Sequence, residues 1–592
     1  MNVDEINEKL NYSNMNVSHN GILIVEGKEE TVPISNFVYW IREIVSFDDG
    51  QEEVKVAICE GLLKGKERLP PVRVPFEKMQ TANWPLDLWG VKCIFFPRQS
   101  SSSQLFFAAQ LLSNEVVEKT VYAHLGWQKI SGDWCYLHSG GAIGIANAEV
   151  QIDQNLDRYK LPRQVKNPAD ALENVSKLHQ IARTETIVPL IALAFLAPLV
   201  ELFKLGGRIP NFVLLLYGQT GTRKTSLALI IQSFFGDFGT TSPPSSFKDT
   251  ANAIELKAFK TKDSLLLVDD FHPQSTTAEA RAMQQNFQKL LRGYGDRIGR
   301  ARMGSNLKMR KSYPPRGMAL ITGEDLPRGH SSSARFLGLE VERDEINLKV
   351  LSDFQGSKNK LKYAMRVFVE WIQPQFEKIS DMINNRFSEV RGRYIENSNH
   401  GRSAEAVAYL QIAYEVMIMC MVEYKVVSES QVDEMLDSAS EIFAKIVENQ
   451  NDLGKQQSPV EQFVVSLTEM LNRGKVTLAD RKQPFGTHPG SGGTAIGWSS
   501  DTHLYLLPEA TYNALSQHLG QRGEVVPVTA TTLWKQIAAA GLLVTEFEDN
   551  RMRTTIKCAL KDSNGIKKRI RVLKIRKHEF ENFEENKEAK HG

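Results

Sequence analysis

Cysteine is scarce in this chain, with Cys59, Cys93, Cys135, Cys420 and Cys558 scattered over 592 residues. No two form a Cys-x-x-Cys pair, which argues against a zinc site and a disulfide framework and fits a reducing, cytoplasmic setting. Charge of one sign is lacking as well. The formal net charge is only +2, so no global field marks the chain for nucleic acid, and any basic surface must be local. Long apolar runs are missing. The longest, Ile187 to Phe203, contains Pro189, Pro198 and Glu201; it is short for a membrane span and reads as a buried helix, with no membrane role. The N-terminus lacks the basic-then-apolar pattern of a signal peptide. No primase-like metal cluster is visible, which argues against priming by this chain.

What is present is ordinary soluble composition, 42% hydrophobic and 24% charged, over a length suited to three or four domains. Residues 1–165 read as a strand-rich N-terminal domain, with runs such as Val54–Ile58 and Val91–Phe96 between Gly, Pro and Ser clusters. Ser100 to Ser103 reads as an exposed loop. The string Ile22 to Lys28 resembles the first strand of a Toprim fold. That fold needs a later Asp-x-Asp, and only Asp48-Asp49 lies nearby, so a plain strand end is the better reading. Residues 166–345 form the expected core, 346–452 a helical lid and 453–580 a C-terminal domain, with 581–592 as a tail. Gln450 to Ser458 reads as a polar linker and Gly486 to Gly493 as a loop. Val460–Leu471 and Thr529–Ala540 read as helices, and Leu543–Ile575 as a β-ribbon.

The chemistry begins at Gly218-Gln219-Thr220-Gly221-Thr222-Arg223-Lys224-Thr225, directly after the apolar run Phe212–Tyr217. The pattern is that of a phosphate-binding loop between a buried strand and a helix, with Arg223 in place of the last glycine. Gly218 and Gly221 let backbone N–H groups turn inward around a polyphosphate; Lys224 reaches the β- and γ-phosphates, and Thr225 is placed to ligate Mg²⁺. Downstream, Leu265-Leu266-Leu267-Val268 suits a strand buried on both faces, ending in Asp269 and Asp270. Asp269 is expected to hold the Mg²⁺ shell and Asp270 to polarise the attacking water. Asp-Glu is commoner here, so Asp-Asp is a second departure.

From Arg297 to Arg316 there are seven basic residues and no acids: Arg297, Arg300, Arg302, Lys308, Arg310, Lys311 and Arg316. Gly304-Ser305-Asn306 sits as a hairpin tip would, with strands expected at Ile298–Arg302 and Leu307–Lys311. The alternatives are a solvated basic loop and a DNA-backbone contact in the pore of a ring. Met318 to Glu324 is another buried strand, which puts Thr322 where a polar group senses the γ-phosphate. Arg335 follows Ser331-Ser332-Ser333-Ala334 as a candidate arginine finger, and Arg402, in His400-Gly401-Arg402-Ser403, as a second sensor. Surface salt bridges are the plainer reading of both. Near the C-terminus, Lys561, Lys567, Lys568, Arg569, Arg571, Lys574, Arg576 and Lys577 crowd one ribbon-like stretch. A wing contacting duplex DNA through Lys568, Arg569 and Arg571 and an edge strand kept soluble by lysines fit it equally.

Taken in order, loop, acidic strand, basic hairpin, polar strand end, Ser-x-Ala-Arg and Gly-Arg-Ser-x-Glu-Ala resemble the AAA+ ATPases of bacterial phages and mobile elements whose core is similar to minichromosome-maintenance helicases. His124-Leu125-Gly126-Trp127 and Gly140–Gly144 resemble the domain preceding the ATPase in that group. The resemblance spans about residues 35–425. It implies an α/β P-loop AAA+ core with a strand-rich N-terminal domain and a helical lid; beyond it, helices followed by a ribbon suit a C-terminal winged helix. The resemblance further implies a hexameric ring, ATP and Mg²⁺ at subunit interfaces, and translocation on single-stranded or forked DNA during replication, with replication partners. On that pattern Lys224, Thr225, Asp269 and Asp270 act in cis, Arg335 and Arg402 in trans. An ATP-switched DNA-binding or origin-recognition assembly without unwinding remains the alternative.

Overall fold

The computed structural model describes residues 1–582 except 28–29, 82, 98–99, 146, 154, 239–241, 273–275, 300–301, 304–308, 328–334, 357–359, 397, 399–400, 457, 486–491, 523–525, 527 and 549–550. It is a mixed α/β structure. Near the N-terminus β1 (Met15–Val17), β2 (Leu23–Glu26) and β3 (Thr31–Ser35) form an antiparallel sheet. Glu26 accepts a hydrogen bond from Asn16 on the neighbouring strand, so the Toprim-like string is a plain strand end. A second sheet follows: β4 (Phe37–Asp48), β5 (Glu53–Leu63), β6 (Glu67–Pro75) and β7 (Val117–Tyr122). Its core is shared with the helix Ser101–Leu112, which places Leu105, Ala108, Ala109 and Leu112 on one buried stripe.

Two expectations fail in this region. Ser100 to Ser103 is no exposed loop. Ser101 opens the helix, is buried, and donates from its hydroxyl to the Phe96 carbonyl at 2.9 Å. Val91 to Phe96 is no strand either; it holds one isolated bridge, Phe95 to Ser35, and Val91 is 85% exposed.

A small antiparallel sheet of β8 (Gly126–Ile130), β9 (Asp133–His138) and β10 (Gly141–Ile143) leads inward, followed by β11 (Glu149–Val150), which pairs with β7. Trp127 and Tyr136 join the main core: the Trp127 indole donates to the Pro198 carbonyl at 2.7 Å and the Tyr136 hydroxyl to the Asp263 carbonyl at 2.7 Å. The apolar run beyond it is a buried helical pair, Thr184–Leu196 and Val200–Leu205, joined by a 3-10 turn where Pro198 removes an N–H. This segment and Gly401–Glu423 are long and apolar enough to cross a membrane, and both are mostly buried inside the fold.

The central sheet is parallel: β12 (Val213–Tyr217), β13 (Ser245–Ser246), β14 (Leu265–Phe271), then, beyond the short β15 (Arg302–Met303) and β16 (Met309–Arg310), β17 (Met318–Gly323) and β18 (Phe336–Glu340), in the order β13-β14-β17-β12-β18. Its strands are buried on both faces, as their unbroken apolar runs require. Leu214, Leu216, Leu265, Leu267 and Leu320 face the helices that precede and follow the sheet. Val213, Leu215, Leu266, Val268 and Ile321 face Ala251–Lys260 and Thr277–Asp296. β15 and β16 pair antiparallel, Arg302 opposite Arg310 and Met303 opposite Met309, and residues 300–301 and 304–308 of the expected hairpin lie outside the described residues.

A helical block runs from Leu348 to Gln456. Gln450 to Gln456 ends the long helix Glu429–Gln456 and is no linker; Gln450 is buried and accepts from the Gly338 N–H at 3.2 Å. The C-terminal part has its own core. Helices Pro459–Asn472, Pro508–Gln521 and Ala530–Ala539 pack on a five-stranded sheet of β19 (Val476–Asp480), β20 (Thr494–Ser499), β21 (His503–Leu506) and the two strands of the chain's last hairpin. The expected ribbon resolves into two hairpins, β22 (Glu546–Glu548) with β23 (Arg551–Arg553) and β24 (Ile556–Lys561) with β25 (Lys567–Arg576). Part of the Gly486–Gly493 loop lies outside the described residues.

Candidate nucleotide site

β12 ends at Tyr217 and the helix Lys224–Gln232 begins seven residues later, so the loop between them closes tightly. Gly218 takes φ 145° and Gly221 φ 90°, values an L side chain rarely adopts. At Gly218 a Cβ would also sit 2.5 Å from the Val341 carbonyl oxygen. Arg223 holds the left-handed conformation that a glycine fills in the commoner pattern, at φ 65° and ψ 25°. Its side chain is exposed while its backbone serves as the helix N-cap.

Lys224 is buried, and its ammonium donates to the Gly218 and Gln219 carbonyls, each at 2.7 Å, and to the Thr222 hydroxyl at 3.3 Å. Burial pushes its pKa below the ordinary lysine value, against the opposing pull of the Glu324 and Asp269 carboxylates. The Thr222 hydroxyl donates to the Gln219 carbonyl at 2.9 Å, and the Thr220 hydroxyl donates to Glu324 at the end of β17. The cation is thus stored inside the loop, bonded to weak neutral acceptors that phosphate oxygens can replace.

Two hydroxyls, one from the helix after β12 and one from β17, converge on Asp269 in β14. The Thr225 hydroxyl donates to Asp269 Oδ1 at 2.8 Å, and the Thr322 hydroxyl donates to the same oxygen. Thr322 also accepts from the Asp270 N–H at 3.3 Å, so one hydroxyl links both acids. β14 bulges against β17 between Val268 and Phe271, and Asp270 takes φ 74° there. That bulge re-aims the Asp270 side chain, a common device beside reactive sites. Asp270 lies 3.0 Å from His272 Nδ1 and 3.6 Å from Lys248 Nζ. Neither partner stood out in the sequence. His272 gave a faint signal, two residues past the acid; Lys248, on the turn after β13, gave none. Thr225 and Asp269 offer two hard oxygen donors, the protein share Mg²⁺ takes when phosphates and water supply the rest. Among the described residues no cluster of three or more His, Cys, Asp or Glu side chains forms a separate metal site.

Arg335 and Arg402 are not part of this convergence. Arg335 opens onto β18 at the edge where the strands begin; its carbonyl accepts from the Val213 N–H at 3.1 Å, and its guanidinium lies 3.1 Å from Asp296. Arg402 lies in the first turn of the helix Gly401–Glu423. Two turns on, Tyr409 packs on Phe203 and Phe387, with ring centroids 4.9 and 4.5 Å apart, beside Arg208 and Arg297. Phe203 and Arg208 precede β12 and Arg297 bonds to Pro210 just before it, so this part of the helix packs beside the edge where the strands begin.

Of the candidate DNA contacts, Arg300 and Lys308 lie outside the described residues. Arg302 and Arg310 are register partners in the β15–β16 hairpin. Lys311 departs from expectation: its ammonium donates to Asp49 and, at 3.1 Å, to Glu52, in the turn between β4 and β5, and it lies 5.7 Å from the centre of the Phe259 ring. Two other members of the basic run are also internal braces. Arg316 stacks 3.6 Å over Phe259. Arg297 donates to the carbonyls of Pro210 at 2.8 Å, Pro315 at 3.1 Å and Gly317 at 2.7 Å; burial lowers its pKa to about 10. Lys568, Arg569 and Arg571 are exposed on β25. Its register with β24 pairs Lys567 with Lys561 and Arg571 with Lys557, which puts Arg569 among four other cations on one face; Lys568 is on the other face, 2.8 Å from Asp562.

No protein-family model and no curated protein matches the chain. Among solved structures, it is similar to one described as the SCCmec type IV Cch active helicase, with a TM-score of 0.56 at 11% identity, over 95% of this chain and 97% of that one. The two share a fold. The C-terminal region of NrS-1 is a more distant likeness, with a TM-score of 0.23 at 10% identity over 69% of this chain and 87% of that one, too low to carry an argument.

Proposed function

We propose that the chain is an ATP-dependent DNA helicase of the AAA+ kind. It works as a ring, the hexamer its resemblance implies, on single-stranded or forked DNA in the replication of a phage or mobile element. The observation that carries the reading is the meeting of Thr225, Thr322 and Asp269 beside the stored Lys224, at the C-terminal ends of three neighbouring parallel strands. Open α/β sheets bind ligands at that end. The whole-chain likeness to a structure described as an active helicase agrees with it.

In this reading Lys224 exchanges its carbonyl partners for the β- and γ-phosphates. Thr225 and Asp269 would hold Mg²⁺, which would supply charge neutralisation at the phosphates. Asp270 orients water. The water oxygen attacks the γ-phosphorus, the bond to the β,γ-bridging oxygen breaks with its electron pair going to ADP, and the departing proton passes to Asp270. Thr322 keeps both acids in register. Arg335, at the opposite edge of the sheet, and Arg402 serve the next subunit's site. The C-terminal helices and two hairpins act as a winged helix on duplex DNA, and the five-cation face of β24 and β25 also favours the second reading, an ATP-switched DNA-binding assembly.

Replacement of Asp270 by Asn tests the chemistry. ATP binding should persist while hydrolysis falls by about 10²- to 10⁴-fold, the usual contribution of a positioned base. Unchanged hydrolysis would remove Asp270 from the mechanism. Strand displacement on a forked duplex then separates the readings: a helicase displaces the strand in an ATP-dependent way, and a switched assembly hydrolyses ATP and binds duplex without doing so.

A further inference from the structure

The helix Thr277–Asp296 ends in a sequence that its own chemistry disfavours. Gly293 and Gly295 stand in the last turn, where glycine is the poorest helix former after proline. Asp296 follows as the final helical residue, with no basic side chain in that turn, so its charge opposes the helix dipole. A helix end assembled against local preference points to a demand from elsewhere in the fold. The demand is visible at Arg335.

The Arg335 side chain lies flat across Gly295. A Cβ at that position would fall 2.7 Å from Arg335 Cδ, 2.8 Å from Cγ and 3.0 Å from Nε. Beyond the glycine, Arg335 Nη2 reaches the Asp296 carboxylate at 3.1 and 3.5 Å. The shelf is fixed from beneath. Arg297 caps the helix with φ 52° and ties it to the carbonyls of Pro210, Pro315 and Gly317, and its guanidinium lies 5.3 Å from the centre of the buried Tyr294 ring.

We propose that Gly295 and Asp296 form a cradle that positions Arg335 toward the phosphates bound by a neighbouring copy of this chain. The proposal rests on reading Arg335 as an arginine finger acting in trans. An arginine carries several soft torsions, and ordering them during turnover costs entropy that a preformed shelf removes in advance. Asp296 supplies direction: it holds Nη2 at one edge of the planar guanidinium, so the plane of the group keeps a set bearing. Gly295 and Asp296 are positioning residues and touch no substrate.

The test uses the full chain with ATP, Mg²⁺ and single-stranded DNA, comparing wild type with Arg335→Ala, Gly295→Ala and Asp296→Asn. Arg335→Ala should lower kcat by about 10³-fold or more, as loss of such a finger does. Gly295→Ala and Asp296→Asn should each lower kcat by up to about 10²-fold, the scale of a small misplacement at a reacting centre, with KM for ATP nearly unchanged. The melting temperature is the second readout. Gly295→Ala improves helix propensity, so a variant that is slower yet no less stable supports positioning. Mixtures of Arg335→Ala and Lys224→Ala chains should recover activity, because mixed interfaces pair an intact loop with an intact arginine. If Arg335→Ala hydrolyses ATP at the wild-type rate, the finger reading and the cradle fall together. If Arg335→Ala is slow but Gly295→Ala and Asp296→Asn are not, the cradle alone is overturned.

Discussion

Arg223 holds a backbone conformation that a side chain makes costly. A left-handed residue with a Cβ is strained by roughly 1–2 kcal/mol, and glycine escapes that strain while losing about 0.5–1 kcal/mol through its freer unfolded chain. Arg223→Gly should therefore raise stability by up to about 1 kcal/mol, read as a higher urea midpoint at unchanged m-value, and leave ATP affinity intact. A loss of either would show that the exposed guanidinium has a task of its own. The example also marks what was legible one residue at a time. Lys224, Thr225, Asp269 and Thr322 were readable because strand-loop-helix spacing is local and buried parallel strands announce themselves by unbroken apolar runs. The link from Asp270 to His272 and Lys248 was not, because it depends on a bulge that re-aims one side chain.

Among the elements, the β15–β16 hairpin shows why charge runs mislead. A basic residue's partner can lie anywhere in the chain, and the partners of Lys311 are Asp49 and Glu52, more than 250 positions away. Burial pushes the Asp49 carboxyl upward, but the hydrogen bonds from Lys311 and the Glu52 and Gln51 amides prevail and hold it below the usual carboxylate value. A depressed carboxylate contributes stability above its unfolded pKa and loses it as pH falls through the folded one. Lys311→Ala should lower stability by about 1 kcal/mol, allowing for the partial exposure of the pair. The salt dependence of single-stranded DNA binding should not change. A fall of about 0.7 in the slope of log K against log salt would return Lys311 to the DNA. Other elements erred for related reasons. The serines at 100–103 suggested a loop although Leu105, Ala108, Ala109 and Leu112 already had helical spacing, and polar residues at 450–456 hid a helix end secured by Gln450.

At the scale of the whole molecule, the N-terminal strands are tied to the central core by groups that must stay neutral. His124 is fully buried; its Nδ1 donates to the Leu125 carbonyl at 2.8 Å, beside Arg316. Its pKa is lowered to about 3 by burial first and then by the Arg316 and Lys262 charges. His138 closes β9, and its Nδ1 accepts from the Gly140 N–H at 3.0 Å, a bond only the unprotonated nitrogen can make. Burial and the nearby Arg366 and Lys160 charges lower its pKa to about 4. For both, the unfolded chain binds the proton more readily than the folded one. Their stabilisation is present above the unfolded histidine pKa and declines as pH falls toward the folded values. Asp263, fully buried, works in the opposite sense, because burial raises its pKa to about 6 against the pull of Lys262. A comparison of variants cancels that opposing contribution. His138→Asn keeps an oxygen able to accept from Gly140 and has nothing to titrate. Between about pH 7.5 and about pH 5 its unfolding free energy should fall by about 2 kcal/mol less than that of wild type, measured by urea denaturation at both pH values. Equal falls in the two proteins would mean that His138 is already protonated, or already solvated, in the fold, and the junction between β9 and the main core would then not depend on its neutrality.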